Sequence, residues 1–324
     1  MTTIGDGPEI SVIMPAWRSA KFIKDSIASV QAQLDIQWEL IVVDDASPDN
    51  TADIVKALAA SDSRIRLEIL SKNQGPAAAR NRAIDLSSAP FVAVLDDDDT
   101  MHASRLRTLV DLAETEGADI VVDNMLEVDD EPSGEVIGRF LSLPDDGQSK
   151  SISLAEYLDP GSEAKLGGSI GYLKPVFRRS ALSVRYDESL RNSEDFYLVA
   201  ELLARGSAMT LSPKALYRYT RRRGSLSWRL SAENAASIVA AHEAFDKRHL
   251  SKLEPRQIRA SRRLLRERRD RMAFAMLVDA LKSRRLGGTI AAFLGRPRSL
   301  PFMLMELSRI MREKLFARSA PAST

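Results

Sequence analysis

The sequence contains no cysteine, so disulfide bonds and thiolate metal sites are excluded. It has three histidines, and they form no zinc-ligand pattern. No stretch approaches the ~18 to 20 consecutive apolar residues that a membrane-spanning helix needs. The start, Met1 to Glu9, is short and acidic and has no apolar signal core. These absences favour a cytoplasmic protein and leave open a peripheral position at the inner face of a membrane.

Charge is distributed unevenly along the chain, although the net charge is only +1. Residues 247–318 hold 20 Lys and Arg against 6 Asp and Glu, which gives +14, so the remainder carries 26 against 39, or −13. The 324 residues suffice for one large domain with an appendage or for two domains. We therefore predict a domain over residues 1–230 and a basic helical extension over residues 231–324.

Short apolar runs alternate with segments of helical spacing in the first half of the chain. Runs of four or five apolar residues without that spacing are typical of strands buried in a parallel sheet. The alternation predicts an α/β fold with a doubly wound, mostly parallel central sheet flanked by helices. Pro15 is expected to end the first strand because it has no N–H. The predicted strands are Ile10–Met14, Leu40–Val43, Arg64–Leu70, Phe91–Leu95 and Asp119–Val122, and the helices are Ser19–Ala32, Asp53–Ala60, Ala77–Leu86 and His102–Glu116.

Four consecutive aspartates, Asp96 to Asp99, follow the fourth predicted strand directly. Adjacent carboxylates disfavour joint ionisation, so a cation is expected nearby. Mg²⁺ and Mn²⁺ prefer carboxylate oxygens and complete their shell with phosphate oxygens of a ligand. The competing interpretation is a helix start, in which Asp99 or Thr100 caps the helix that begins at His102.

Polar residues also follow the other predicted strands, and the carboxyl ends of the strands are where ligands bind in open α/β sheets. The three-glycine dinucleotide fingerprint and the phosphate-binding loop of nucleoside triphosphatases are both absent. A nucleotide ligand would therefore be held in a different way.

Four motifs in this order resemble those of family 2 glycosyltransferases with the GT-A fold. They are VIMPAW (12–17), VVDDAS (42–47), NQGPAAARN (73–81) and LDDDD (95–99). The resemblance extends from about residue 10 to about residue 227 and implies a nucleotide-sugar donor bound across the strand ends.

The resemblance also implies roles for individual donor-binding residues. Pro15 and Trp17 would lie along the nucleobase, Asp45 would accept from a base nitrogen of uracil, and Asn73 and Gly75 would border the donor. Arg80 would hold the base or the aspartates, Asp96 and Asp97 would contact the ribose, and Asp98 would bind Mn²⁺ or Mg²⁺.

The chain departs from the family pattern at two of these places. Trp17-Arg18 stands where Tyr-Asn is more common, and four adjacent aspartates leave the metal ligand ambiguous by one position. Simpler interpretations also remain open: Trp17 as a core aromatic residue, Arg80 as a residue on a helix surface, and Asp45 as a turn cap.

Glu194-Asp195 resembles the family's Glu-Asp motif. Asp195 would then remove the proton from the acceptor hydroxyl, and Glu194 would orient the site. Alternatively, Asn192 or Ser193 simply caps a helix. One displacement at the anomeric carbon would invert its configuration.

Further segments carry weaker expectations. We expect an irregular excursion over Asp129–Gly147 and a last strand at Leu216–Tyr219. By the resemblance, a loop at Thr220–Ser227 closes over the donor. A glycine-rich segment, Gly167–Gly171, either approaches a sugar closely or is an ordinary loop. Residues Phe302–Phe316 form a basic amphipathic segment, which suits a membrane surface or self-association.

The combined prediction is an inverting glycosyltransferase that moves a sugar from a UDP-sugar, or another nucleotide diphosphate sugar, to a glycan or lipid-linked saccharide for surface or exopolysaccharide. One alternative is a nucleotidyltransferase that uses the same acidic metal site, and another is a non-catalytic binding protein of the same fold. No nucleic-acid recognition module is recognisable, so no nucleic-acid partner is expected.

Overall fold

The computed structural model describes residues 7–130, 134–144, 147–222, 231–283, 302, 304 and 305. The strands are β1 (Ile10–Ala16), β2 (Trp38–Asp44), β3 (Ile65–Ile69), β4 (Phe91–Val94), β5 (Thr100–Met101), β6 (Ile120–Asp129), β7 (Val136–Arg139), β8 (Lys150–Ser151), β9 (Val176–Arg178) and β10 (Met209–Arg221). The helices are α1 (Ile23–Gln31), α2 (Thr51–Ser61), α3 (Pro76–Leu86), α4 (Arg105–Thr115), α5 (Leu154–Leu158), α6 (Pro160–Leu166), α7 (Glu194–Ala204), α8 (Ala232–His249) and α9 (Pro255–Lys282).

These strands form one sheet in the order β3-β2-β1-β4-β9-β6-β10-β5, with β7 beside β6 and β8 beside β10. Strands β3, β2, β1 and β4 run parallel, as do β6 and β10, whereas β9 is antiparallel to both of its neighbours. The buried apolar runs of β1, β2 and β4 form the centre of the core. The predicted α/β fold with a mostly parallel sheet is confirmed.

Pro15 lies within β1 and does not end it, contrary to the sequence-based expectation. The Ile13 carbonyl accepts from Leu95 N–H on the β4 side, and the Ala16 carbonyl accepts from Asp45 N–H on the β2 side. The backbone groups of consecutive residues in a strand point to opposite neighbouring strands, so Pro15 faces the β4 side, as Ile13 does. The last residue of β4, Val94, pairs with Ile13. Pro15 therefore lacks an N–H just where the β4 ladder has ended.

The second half of the sheet differs more from the sequence prediction. β10 runs over Met209–Arg221 and is much longer than the predicted Leu216–Tyr219. Register shifts between Ser212 and Tyr217 accommodate Pro213 and Lys214, which break the apolar pattern. The expected irregular excursion also contains β7, which pairs with the end of β6; residues 131–133 and 145–146 of it lie outside the described residues.

Helices α8 and α9 follow β10, and each contributes residues to the same hydrophobic core as the sheet, among them Phe245 and Leu264. The domain boundary predicted at residue 230 stays a prediction. Residues 223–227 of the predicted closing loop, and the segment Phe302–Phe316 apart from residues 302, 304 and 305, lie outside the described residues. None of the helices described is both long and apolar enough to cross a bilayer.

Candidate active site

The carboxyl ends of β1, β2 and β4 meet at one edge of the sheet. The paired residues Ala16 and Asp44 end β1 and β2, and β4 ends opposite Ile13. The Trp17 backbone N–H donates to Asp97 Oδ2 at 2.9 Å, which joins the segment after β1 to the aspartate run after β4. The convergence expected from the strand order is therefore present.

Trp17 is not a core aromatic residue, because 44% of it is exposed. Its ring has the Arg18 guanidinium 4.8 Å from its centroid. Arg18 has φ of 56°, and Ala46, after β2, has the same value. Such left-handed conformations are uncommon for residues other than glycine and cluster at functional sites. The exposed indole is accessible to a flat ligand.

The Asp45 side chain binds the backbone of the loop before α3 and does not cap its own turn. Its Oδ1 accepts from Gln74 N–H at 2.7 Å and its Oδ2 accepts from Gly75 N–H at 2.8 Å. The Asn73 side-chain amide donates to the Asp45 carbonyl at 3.3 Å. Gly75 has φ of 95°, which disfavours any side chain there. Asp45, Asn73 and Gly75 thus form one unit at the sheet edge.

The four aspartates occupy four different environments. Asp96 pairs with Lys174 Nζ at 2.7 Å and with Arg80 at 2.8 Å. Asp97 accepts from the Trp17 backbone, as described above, and Asp98 forms an ion pair with Arg222. Asp99 is fully buried and accepts from the Tyr217 hydroxyl at 2.8 Å and from a backbone N–H of β10 at 2.7 Å.

Asp99 is therefore a structural tie to β10 and does not cap a helix. Helix α4 begins at Arg105, later than predicted, and its N-terminal flanking residue is Ser104. Both Asp99 oxygens accept hydrogen bonds within the protein, so Asp97 and Asp98 remain the candidates for the metal ligand.

Burial and mutual proximity affect the ionisation of Asp97 and Asp98. Asp96, despite its burial, is held ionised by Lys174 and Arg80, which lower its pKa. Burial, reinforced by the neighbouring charge of Asp98, raises the pKa of Asp97 to about 7. Burial also raises the pKa of Asp98, against the opposing effect of Arg222. No group of three His, Cys, Asp or Glu side chains suited to a metal ion occurs in the described part of the chain. A divalent cation held here would have to take most of its ligands from a phosphate group, as Mg²⁺ commonly does.

Arg80 is buried, not on a helix surface, and connects the aspartate run to the start of α7. It donates to Glu194 Oε1 at 2.7 Å and to Asp96 Oδ1 at 2.8 Å, and it lies 3.6 Å from Asp195 Oδ1. Burial opposes its charge, but the carboxylates of Asp195, Asp96 and Glu194 outweigh this and raise the pKa of Arg80. Burial and the charge of Asp195 raise the pKa of Glu194.

Lys174 is the residue that the sequence analysis missed. Its Nζ lies 2.7 Å from Asp96 and 3.3 Å from Asp195, so one ammonium group bridges the aspartate run and the Glu-Asp pair. The Lys174 carbonyl accepts from Arg105, which is itself paired with Asp123 at 2.8 Å in the core. A single lysine before a proline belongs to no recognisable motif, so only the fold reveals it.

The simpler interpretation that Ser193 caps α7 is not supported at the start of that helix. Ser193 precedes the helix with φ of 67°, and its side chain makes no capping hydrogen bond. Asp195 Oδ1 is buried and has no hydrogen-bond donor among the described residues. Most buried polar atoms in folded proteins have a hydrogen-bond partner, so this oxygen is one that a ligand hydroxyl could reach as a donor.

A cavity of about 380 Å³ opens beside this cluster. Its wall includes Asp96, Lys174 and Asp195, and also Ile238 of α8 and Arg268 of α9. The glycine-rich segment reaches this wall through Gly171, where a Cβ would collide with the Phe196 ring. Glycine there serves packing within the chain.

Comparison with known proteins places the chain in a family. The sequence model of the protein family "Glycosyl transferase family 2" matches residues 11–160. The chain is 34% identical to succinoglycan biosynthesis protein ExoO of Rhizobium meliloti, over 96% of this chain and 88% of that protein. It is 31% identical, over 59% of this chain and 56% of that protein, to the GalNAc(5)-diNAcBac-PP-undecaprenol beta-1,3-glucosyltransferase of Campylobacter jejuni.

Solved structures share the fold. S. aureus TarS 1-349 in complex with UDP-GlcNAc matches with a TM-score of 0.59 and 19% identity, over 90% of this chain and 92% of that one. The mannosyltransferase PcManGT of Pyrobaculum calidifontis, in complex with GDP-Man and Mn²⁺, matches with a TM-score of 0.58 and 17% identity, over 93% and 84%. The chain therefore belongs to glycosyltransferase family 2 and is a glycosyltransferase with a GT-A-like fold that uses a nucleotide sugar.

Proposed function

We propose that the protein transfers a hexose from a UDP-sugar to a lipid-linked saccharide, with inversion, in the synthesis of an exopolysaccharide. The observation that carries this proposal is the Lys174 bridge, since it brings Asp195 to the aspartate run from a distant part of the chain. The name of ExoO, a succinoglycan biosynthesis protein, supports a role in exopolysaccharide synthesis. The name of the Campylobacter enzyme, which includes an undecaprenol-linked saccharide, supports a lipid-linked acceptor. The TarS complex supports UDP as the nucleotide.

In this proposal the donor lies along the edge formed by β1, β2 and β4. Trp17 stacks on the base, and the unit formed by Asp45, Asn73 and Gly75 borders it. Asp96 and Asp97 face the ribose. Asp98 is the residue that would hold Mn²⁺ or Mg²⁺, which when bound supplies Lewis-acid stabilisation of charge on the diphosphate; the PcManGT complex supports Mn²⁺.

Asp195 is the proposed general base. Its Oδ1, which lacks a donor among the described residues, accepts the proton of an acceptor hydroxyl. The hydroxyl oxygen then forms its bond to the anomeric carbon as the bond from that carbon to the diphosphate oxygen breaks and the nucleotide leaves. One displacement inverts the anomeric configuration. Arg80 and Lys174 hold the Asp195 carboxylate, and Glu194 holds Arg80.

Family membership argues against the two alternatives from the sequence. A nucleotidyltransferase would release pyrophosphate, and a binding protein would not need the intact Asp195 cluster. The basic C-terminal region supports a position at the inner face of the membrane, where a lipid-linked acceptor would be met.

The test is release of UDP from UDP-glucose, UDP-galactose and UDP-GlcNAc, with GDP-mannose as a comparison. Asp195→Asn should bind UDP normally but lose turnover by ~10²- to 10⁴-fold, as expected for loss of a general base. Asp98→Ala should lose metal-dependent UDP binding. Asp53→Asn, a change at an exposed aspartate of α2, is the control. Unchanged release in both site variants would contradict the assigned roles.

A further inference from the structure

The cavity beside Asp195 is completed by helices outside the segment that matches the family model, which ends at residue 160. Helix α8 supplies Ala235 and Ile238, and α9 supplies Leu264, Glu267 and Arg268. The C-terminal helices thus share a wall with the proposed base. A ligand that fills this cavity would lie against both Asp195 and these helices.

Arg268 is the most distinctive group on that wall. Its guanidinium carbon lies 4.3 Å from the ring centroid of Phe196 and 4.8 Å from that of Tyr197. Among the described residues it has no carboxylate at ion-pair distance, unlike its neighbours Arg269 and Arg271. Burial lowers the pKa of Arg268 to about 9. Arg268 is half-buried, and among the described residues its N–H groups donate only to His242. A guanidinium on a cavity wall with unused N–H donors favours a ligand that brings oxygen acceptors.

A chain of hydrogen bonds within the protein fixes the orientation of Arg268. Its NH1 group lies 3.3 Å from His242 Nδ1, which accepts when the ring is neutral. The other ring nitrogen, Nε2, then donates to the Ser261 carbonyl at 3.1 Å, and Ser261 Oγ donates to Asp246 at 2.5 Å. The guanidinium is therefore held in place before any ligand binds.

The charge on the cavity wall argues for a neutral ligand. The wall carries five cationic side chains and five carboxylates, so a polyanion would gain little there. A polyhydroxylated sugar suits such a mixture, because each hydroxyl both donates and accepts a hydrogen bond. Tyr172, which is 50% exposed, adds an aromatic surface on the same wall. The volume of about 380 Å³ lies in the range of small-ligand sites.

We propose that α8 and α9 form the acceptor-sugar subsite, and that Arg268 determines specificity by donating hydrogen bonds to hydroxyl groups of the terminal hexose of the acceptor. The proposal rests on the proposed function, in which Asp195 receives the acceptor proton. It gives the C-terminal helices a direct part in substrate recognition.

The test uses Arg268→Met, which keeps an apolar side chain against Phe196 but removes the guanidinium. The control is Arg266→Met on the exposed side of the same helix, since two residues turn an α-helix by about 200°. Binding of p-nitrophenyl β-D-glucopyranoside and β-D-galactopyranoside is measured by saturation-transfer NMR with UDP and Mg²⁺ present. UDP binding is measured in parallel by calorimetry.

We expect at least one glycoside to bind the unmodified protein, and its Kd to rise at least tenfold in Arg268→Met but not in Arg266→Met. A second variant, Ile238→Trp, fills the cavity from α8 and should also abolish glycoside binding, with UDP binding kept in all variants. Equal glycoside binding by Arg268→Met and the control, or no glycoside binding alongside normal UDP binding, overturns the acceptor subsite alone. Failure of the unmodified protein to bind UDP would instead overturn the proposed function.

Discussion

At the scale of single residues, the ammonium group of Lys174 links the aspartate run to the Glu194-Asp195 pair. Its ammonium group lies within 3.3 Å of both Asp96 and Asp195, and it is buried. These carboxylates also raise the pKa of Lys174 against the effect of its burial, so the group stays cationic. Removing one partner of a buried ion pair leaves an uncompensated charge, which is costly. Lys174 therefore sets the position of the proposed base.

We expect Lys174→Met to lower kcat for sugar transfer by roughly 10²-fold, within the range for losing a positioned base, while the KM for the donor changes little. Lys174→Arg keeps the charge and should recover part of kcat. Lys56→Met, at an exposed lysine of α2, should behave as the unmodified protein. The measurement is steady-state UDP release over a range of donor concentrations. Equal loss in the Met and Arg variants, with lowered thermal stability, would indicate a purely structural role.

Arg80 and Lys174 show what the sequence could and could not predict about the site. Arg80 belongs to a motif whose family resemblance implies that it holds the base or the aspartates, and in the structure it forms an ion pair with Asp96. Lys174 belongs to no such motif, and its contacts are made entirely by tertiary structure. Likewise the four adjacent aspartates look equivalent in sequence, and only their contacts separate Asp99, tied to β10, from Asp98.

At the scale of secondary-structure elements, the contact between α8 and α9 depends on a buried neutral histidine. His242 lies in α8, and its Nε2 is 2.9 Å from Ser261 Oγ of α9. Burial lowers the pKa of His242 below its ordinary value of 6.5, an effect that outweighs the nearby Asp246 carboxylate. The unfolded chain then takes up a proton near pH 6.5, whereas the folded chain does so only at lower pH. The corresponding stability is complete above pH 6.5 and is lost as the pH falls.

The free energy of unfolding should therefore decrease below pH 6.5 by up to about 1.4 kcal/mol per pH unit from this group. His242→Gln should have a flatter dependence, because glutamine does not titrate. His102→Gln, at an exposed histidine, serves as the control and should keep the slope of the unmodified protein. Urea unfolding between pH 5 and pH 8 measures the difference. Parallel curves for His242→Gln and the control would exclude His242 as the titrating group.

Strands could be predicted from the sequence where a run of apolar residues was continuous. β1, β2 and β4 are buried apolar runs, and each was predicted within a few residues of its observed bounds. β10 was recognised only over its last part, because Pro213 and Lys214 interrupt it where its register shifts. The short strands β5 and β8, of two residues each, have no sequence signal, since only their pairing partners define them.

At the scale of the whole molecule, part of the excess positive charge of the C-terminal region lies on one exposed face of α9. Exposed arginines of α9 include Arg259, Arg262 and Arg266, which recur at helical spacing on one face. None of the three forms an ion pair with a described residue, whereas Arg263 and Arg271 do so, with Asp159 and Glu267. Each basic side chain near an anionic bilayer contributes about 1 kcal/mol of binding. This face of α9 is therefore expected to bring the cavity close to a lipid surface.

The protein should sediment with phosphatidylglycerol vesicles but not with phosphatidylcholine vesicles, and salt should weaken the binding because it screens charges beyond about 8 Å at physiological ionic strength. Changing Arg259, Arg262 and Arg266 together to Gln should lower the partition coefficient at least tenfold. The matched control changes three exposed lysines elsewhere, Lys24, Lys56 and Lys214, to Gln. If both triple variants lose binding equally, attraction depends on net charge alone. If only the arginine variant loses it, α9 is the face that meets the membrane.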